Sequence, residues 1–314
     1  REHVGDGVHL RGIVEFSNRC RRNCLYCGIR ASNPHVQRYR MLPEEIVETA
    51  IRASHLGFGT IVLQSGEGDA LDPSELAWVV TEIRARTPLA ITLSVGERSR
   101  EDYALWRRAG ADRFLLRHET SDPDLFARLR PGCRLEDRLQ CLAWLRELGY
   151  QVGSGFMVGL PGQDLGSLAR DILLLCELGV EMAGIGPFLP HPDTPLADAA
   201  GGKLDLTLRV IAATRLLLPD CHIPATTALG SVHPRGRQLA LHAGANVVMP
   251  NVTPTRFRQH YALYPQKICL FEDAERCHRC AVGWIIDEGR FVASGPGHAV
   301  RRAAAGAPVR AHPA

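Results

Sequence analysis

The sequence runs to 314 residues, 45% of them hydrophobic, enough for one large α/β barrel or for two ordinary domains with filled cores. Its formal net charge is only +3, with Lys and Arg interspersed among Asp and Glu, so no basic stripe follows a phosphate backbone and nucleic acid is not an expected partner. The longest apolar runs, such as Ile172 to Cys176 and Ile211 to Leu218, are broken by charge well short of the roughly 18 to 20 residues of a membrane span, so no membrane association is expected. No secretory signal opens the sequence, and it begins at Arg1 rather than Met, so a further N-terminal stretch is expected to precede it.

Short β-branched or apolar runs alternate with helical periodicity along the chain. The predicted strands are Gly12 to Phe16, Thr60 to Gln64, Ala90 to Val95, Arg113 to Leu116, Val152 to Val158, Met182 to Gly186, Ile223 to Thr227 and Asn246 to Met249. Segments with helical spacing lie between them, for instance Pro43 to Leu56 with Pro in the first turn, and Leu135 to Leu148 stopped by Gly149. Eight βα units predict an α/β fold, a single (β/α)8 barrel of the TIM type over residues 1–265, with a cysteine-containing C-terminal extension over 266–314. The tail after about Gly295, rich in Ala, Arg, Gly and Pro, is expected to be disordered. In such barrels, chemistry gathers where strands end and βα loops begin. Polar or Gly-rich groups follow nearly every predicted strand: Ser17-Asn18, Ser65-Gly66-Glu67, Gly96-Glu97, Arg117-His118-Glu119, Gly159 to Gly162, Pro187 with His191, Thr226-Thr227, and Asn251.

Ten cysteines are many for a chain without an export signal. In a reducing, cytoplasmic setting they read as metal ligands or buried apolar residues rather than as disulfides. Cys141 and Cys176 sit in helical apolar patterns and Cys133 and Cys221 beside turns, where free Cys packs as a small hydrophobe. Cys20, Cys24 and Cys27 have the spacing CX3CX2C directly after the first strand, so three thiolates share one loop at the barrel mouth. A structural zinc would want a fourth Cys or His, and the nearest histidines, His9 and His35, lie outside this loop. Three thiolates instead suit a four-iron cubane that leaves one iron open. A second group, Cys269, Cys277 and Cys280, has the spacing CX7CX2C. It reads as an auxiliary 2Fe-2S or 4Fe-4S cluster or as a zinc site completed by His278. Following the last strand, it is expected to belong to a peripheral extension.

The first cysteine loop resembles that of the radical S-adenosylmethionine (SAM) superfamily, in which the open iron chelates the amino and carboxylate groups of SAM. One electron then breaks the bond from sulfur to the adenosyl carbon, giving a 5'-deoxyadenosyl radical. From about Phe16 to Cys280 the likeness narrows to the HydE family of FeFe-hydrogenase maturases. It is carried by Phe-Ser-Asn-Arg-Cys-Arg-Arg-Asn-Cys-Leu-Tyr-Cys-Gly-Ile-Arg from Phe16, Thr-Ile-Val-Leu-Gln-Ser-Gly-Glu from Thr60, Leu-Leu-Arg-His-Glu-Thr from Leu115 and Met-Val-Gly-Leu-Pro-Gly-Gln from Met157. The runs Gly-Ile-Gly-Pro-Phe-Leu-Pro-His-Pro-Asp-Thr-Pro-Leu from Gly184, Ile-Pro-Ala-Thr-Thr-Ala from Ile223 and Gly-Ala-Asn-Val-Val-Met-Pro-Asn from Gly244 extend it. The first two runs are shared with methylornithine synthase and more loosely with biotin synthase. The last three point to the maturase.

The resemblance implies a 4Fe-4S cluster and SAM as cofactors. It implies that the Tyr26 backbone meets adenine, its ring packing beside the cluster being the alternative. Gln64, Ser65 and Glu67 match the motif that receives the methionine ammonium, Gly66 letting the backbone approach. Glu119 matches a contact to ammonium or ribose hydroxyls and Arg138 one to the carboxylate, with a plain surface position as the alternative for Arg138. Arg117, Thr226 and Thr227 match anion-binding positions. The alternatives are an Arg117–Glu119 salt bridge and turn capping by the threonines. His191 faces either the cavity or its own turn. The implied substrate is an organometallic iron species with carbonyl, cyanide and cysteine ligands, used in assembling the di-iron subcluster of the H-cluster. The implied partners are a reductant protein and other hydrogenase maturases, a tyrosine lyase and a GTPase scaffold. Competing readings are a methylornithine-synthase-like or biotin-synthase-like enzyme on a small organic substrate, and a non-enzymatic iron-sulfur scaffold or carrier.

Overall fold

The computed structural model describes residues 3–68 and 70–299. In chain order its elements are β1 (Gly7–Ser17), α1 (Pro43–His55), β2 (Thr60–Ser65), α2 (Pro73–Arg86), β3 (Ala90–Ser94), α3 (Arg100–Ala109), β4 (Arg113–Leu115), α4 (Pro123–Leu129) and α5 (Leu135–Glu147). There follow β5 (Gln151–Val158), α6 (Leu165–Glu177), β6 (Met182–Pro187), α7 (Leu204–Leu217), α8 (Thr227–Val232), α9 (Gly236–His242), β7 (Val247–Val248), α10 (Thr255–Arg258), α11 (Ala274–Asp287) and β8 (Phe291–Val292). Local chemistry sets the helix starts. Asp72, Ser99, Asp122 and Asp164 each cap a helix by accepting the amide three residues on. Gly110, in the left-handed region at φ 115°, closes α3.

The strands pair in parallel in the order β6-β5-β4-β3-β2-β1-β7. Residues of β2, β3, β5 and β6 are almost wholly buried, as expected where helices cover a parallel sheet. The predicted seventh strand differs. Ile223 to Thr227 is no regular strand but joins its neighbours by single bridges, His222 to Met182 and Pro224 to Val247. Pro224 has no N–H to offer a ladder, which accounts for the interruption. Backbone bonds from Ala183 N to His222 O and from Ala225 N to Val247 O still close the ring between β6 and β7. The eighth predicted strand shortens to Val247–Val248.

One apolar core fills the space between strands and helices, built on Leu63, Ile91, Leu93, Phe114, Phe156 and Ile185. After α11 the chain adds β8, which pairs with Gly7 and Val8 at the start of β1. The next residues run beneath the barrel. The Pro296 carbonyl accepts from Thr60 (2.8 Å) and Arg113 (2.7 Å), and the Gly297 carbonyl from Arg11 (3.2 Å). The expectation of disorder after Gly295 therefore fails for residues 295–299, because buried guanidiniums need those carbonyls. Residues 300–314 lie outside the described residues. No helix among the described residues is long and apolar enough to cross a membrane.

Candidate active site at the barrel mouth

The chain leaves β1 through Ser17 and Asn18 and at once forms the loop with Cys20, Cys24 and Cys27. Asn18 is fully buried; its amide donates to Gln37 O (2.8 Å) and His260 O (2.6 Å), and its Oδ1 accepts from Tyr39 N (2.8 Å). Backbone bonds tie the loop down: Gly66 N to Ser17 O, Arg21 N to Glu67 O, Leu25 N to Leu129 O and Gly28 N to Leu263 O, at 2.7–2.9 Å. Gly66 is required, since a Cβ there would stand 2.4 Å from Arg19 O.

All three cysteines line one cavity of about 350 Å³. Burial pushes the Cys24 and Cys27 thiols up, neighbouring thiols add to this, and Arg130 opposes it at Cys24. The three sulfurs do not all lie within 4.8 Å of one another. A tetrahedral zinc would draw its thiolates to about 3.8 Å apart. His9 packs instead against His222, with ring centroids 5.0 Å apart, and His35 is exposed. Three thiols in one loop, with neither of these histidines beside them, fit a cluster with one open position.

Beside the loop lies an ionic network that joins distant parts of the chain. Arg22, between Cys20 and Cys24, pairs with Glu67 and with Glu97 (2.6 Å). Arg138 pairs with Glu97 (2.6 Å) and Glu67 (3.4 Å) and donates to Arg117 O (2.9 Å). Arg130 stands 3.5 Å from Glu67 and donates to the Tyr26 hydroxyl (3.2 Å). Burial alone would raise the Glu67 carboxyl, but Arg138, Arg130 and Arg22 outweigh it and hold it below its ordinary value. Arg138 is 3% exposed, which overturns the surface alternative. With Arg21, also 3.9 Å from Glu67, Arg22, Arg130 and Arg138 set four positive charges against Glu67 and Glu97, leaving two in excess. Sequence reading put Glu97 at a strand end without giving it a role and missed Arg22 and Arg130, because pairs spanning 75 and 104 positions leave no periodic signal.

The same cavity is also lined by Gln64, Ser65, Arg117, Glu119, Thr226 and Thr227. Gln64 donates to the Tyr261 hydroxyl (3.1 Å) and Ser65 to Gly66 O (2.8 Å). Glu119 has φ 68°, a left-handed conformation that costs a non-glycine residue on the order of 1–3 kcal/mol. Its backbone is pinned by Gly155 O (2.9 Å) and Met157 N (3.2 Å). Arg117 Nη2 lies 2.9 Å from Glu119 Oε2, so the salt bridge that was the alternative to an anion-binding role is present, although neither atom completes a hydrogen bond and Arg117 Nε has no hydrogen-bond partner. His118, between them, turns into the core, with Nδ1 3.0 Å from Ser154 Oγ. Burial, with Arg117 and Arg138, pushes its pKa down to about 3, so it stays neutral. Thr226 occupies the N-cap of α8, but its side chain caps nothing and Oγ1 is buried without a partner. A buried Glu15–Lys267 pair (2.5 Å), unmarked by any motif, completes the wall.

Cys269, Cys277 and Cys280 line this same cavity rather than standing apart from it. The Cys269 and Cys277 sulfurs and a Glu272 carboxylate oxygen lie within 4.8 Å of one another. A hydrogen bond from Cys269 and the Arg258 guanidinium, 3.5 Å away, hold the Cys277 thiol low. The predicted His278 does not join them; its ring packs on Phe58, centroids 5.0 Å apart, and Glu272 takes its place. His191 belongs to its turn, where Nδ1 accepts from Asp193 N (3.1 Å).

The family model of the radical SAM superfamily matches residues 14–175. The FeFe hydrogenase maturase subunit HydE of Thermotoga maritima is 54% identical over 290 residues, 92% of this chain and 83% of that protein. The 3-methylornithine synthase of Methanosarcina acetivorans is 30% identical over 78% of this chain and 70% of its own length. The crystal structure of methylornithine synthase (PylB) superposes with a TM-score of 0.81 at 26% identity, covering 93% of this chain and 85% of that one. With a barrel mouth built as described, this chain belongs to the radical SAM superfamily and, within it, to the HydE-type FeFe-hydrogenase maturases, enzymes whose family implies a 4Fe-4S cluster and SAM.

Proposed function

We propose that the chain holds its 4Fe-4S cluster on Cys20, Cys24 and Cys27 and binds SAM beside it. It then acts on an anionic iron species with carbonyl, cyanide and cysteine ligands during assembly of the di-iron subcluster. The observation that carries this reading is the joint lining of one cavity. The Cys20, Cys24 and Cys27 thiols, the arginine–glutamate network, and Arg117 Nε and Thr226 Oγ1, which have no hydrogen-bond partner, all belong to residues that line it. When bound, cluster and SAM supply one-electron cleavage to a 5'-deoxyadenosyl radical.

The excess positive charge around Arg138 suits the SAM carboxylate, and the Gln64–Glu67 strand end suits its ammonium. Glu119 faces the ammonium or ribose hydroxyls and Tyr26 the adenine. Arg117, Thr226 and Thr227 hold the anionic ligands of the substrate, where donors fixed in a water-poor site need no reorganisation. Cys269, Cys277 and Cys280 hold an auxiliary 2Fe-2S or 4Fe-4S cluster, with Glu272 at hand as a further ligand. The electron comes from a reductant protein and the substrate from a partner maturase.

The test is anaerobic reconstitution with iron and sulfide, reduction, and addition of SAM with and without the iron–cysteine species. The expected result is 5'-deoxyadenosine together with consumption of that species. SAM cleavage that leaves it unchanged would sink the substrate assignment; a loaded protein that never cleaves SAM would be a carrier.

A further inference from the structure

Arg130 lies in the turn between α4 and α5, outside every motif, yet it is 6% exposed and reaches the cysteine loop twice. The carbonyl of Leu129, its neighbour, accepts from Leu25 N (2.9 Å), and its own Nη1 donates to the Tyr26 hydroxyl (3.2 Å). Its guanidinium carbon stands 5.4 Å from the Phe126 ring centroid, which fixes the plane of the group. Nε and Nη2 are buried without hydrogen-bond partners. A buried guanidinium with unused donors is costly unless negative charge stands close by. Its nearest carboxylate is Glu67, 3.5 Å from Nη2, and Arg130 shares it with Arg22 and Arg138.

We propose that Arg130 is a positioning residue for the redox centre: it supplies a fixed positive charge to the cluster held by the cysteine loop. This rests on the cluster reading above. A cluster gains one negative charge on reduction, and a cation in a low-dielectric wall stabilises that added charge. Arg130 therefore favours the reduced state, and its loss moves the midpoint potential downward.

The experiment compares reconstituted wild type, Arg130→Gln and Arg130→Lys by iron and sulfide content and by EPR-monitored redox titration. The expected result is full iron in all three. At the wild-type midpoint the reduced-to-oxidised ratio of the Gln variant falls about tenfold, ~59 mV for one electron, and the Lys variant recovers most of the loss. A loaded Gln variant with an unchanged midpoint overturns the assignment, as does a Lys variant shifted as far as Gln, since charge is then not the cause. Loss of iron from both variants also overturns it, by making Arg130 a determinant of loop folding. A wild type that takes up no iron fails earlier, at the cluster reading itself.

Discussion

Thr226 allows stability and binding to be separated in one variant. Its Oγ1 is buried and bonded to nothing among the described residues, although the residue stands at a helix N-cap. Gly186 faces it so closely that a Cβ there would stand 3.0 Å from Oγ1, so the side-chain shape matters as well as the hydroxyl. Thr226→Val keeps the shape and removes the hydroxyl. No hydrogen bond breaks, so stability should stay level or rise by up to about 1 kcal/mol as an unsatisfied polar atom leaves the interior. Were the hydroxyl a working cap, the same change would cost about 1 kcal/mol, the opposite sign. If Oγ1 receives an anionic ligand, the variant loses a bond to a charged group worth roughly 1.5–3 kcal/mol, and affinity falls about tenfold to a hundredfold. Urea unfolding measures the first quantity, calorimetric titration with halide and cyanide the second, and equilibrium dialysis checks that SAM affinity is unchanged. Destabilisation by more than 1 kcal/mol with anion affinity intact would refute the reasoning and remove the support for an anionic substrate here.

Single Ala substitutions of Cys20, Cys24 or Cys27 should abolish both the reduced-cluster EPR signal and 5'-deoxyadenosine formation, and retention of both by any variant would sink the ligand assignment. A triple Ala variant of Cys269, Cys277 and Cys280 should lose iron yet still form 5'-deoxyadenosine; a folded triple variant that forms none would contradict their independence from radical generation. Stability should fall as pH drops below 6.5, because burial and nearby arginines push His118 down to about 3 and His222 to about 2. Both stay neutral in the fold while the unfolded chain takes up the protons, so each contributes up to about 1.4 kcal/mol per pH unit. Urea midpoints between pH 6.5 and 5 should flatten in His118→Asn, and parallel profiles would show that this histidine does not titrate as argued.

Local patterns made much of this molecule legible. Alternating apolar runs placed most strands within a residue or two, and CX3CX2C after the first strand located the loop that lines the cavity. Pro224 defeated the seventh strand because its effect is on the hydrogen-bond ladder, not on hydropathy. The second cysteine group looked peripheral because it follows the last strand, but the loop before α11 folds back over the mouth and Lys267 reaches Glu15 inside the barrel. Arg22 and Arg130 were hidden for a similar reason: each owes its place to a pair with a residue distant in sequence, and charges scattered in sequence look like a solvated face until the fold collects them.

The groups that line the cavity share covalent and electrostatic scaffolding. Arg138 spends Nε on Glu97 and Nη2 on Glu67, and its Nη1 holds the carbonyl of Arg117. Arg117 in turn leans on Glu119, whose left-handed backbone is maintained by hydrogen bonds to β5 on both of its sides. His118, neutral and locked on Ser154, keeps the intervening residue turned away, so Arg117 and Glu119 both project into the cavity. A residue in that strained conformation persists only where its surroundings over-determine it. Here those surroundings are the Arg138 network on one side and β5 on the other. The contact between the Glu67–Glu97 network and the Arg117–Glu119 pair thus runs through one guanidinium and a single carbonyl.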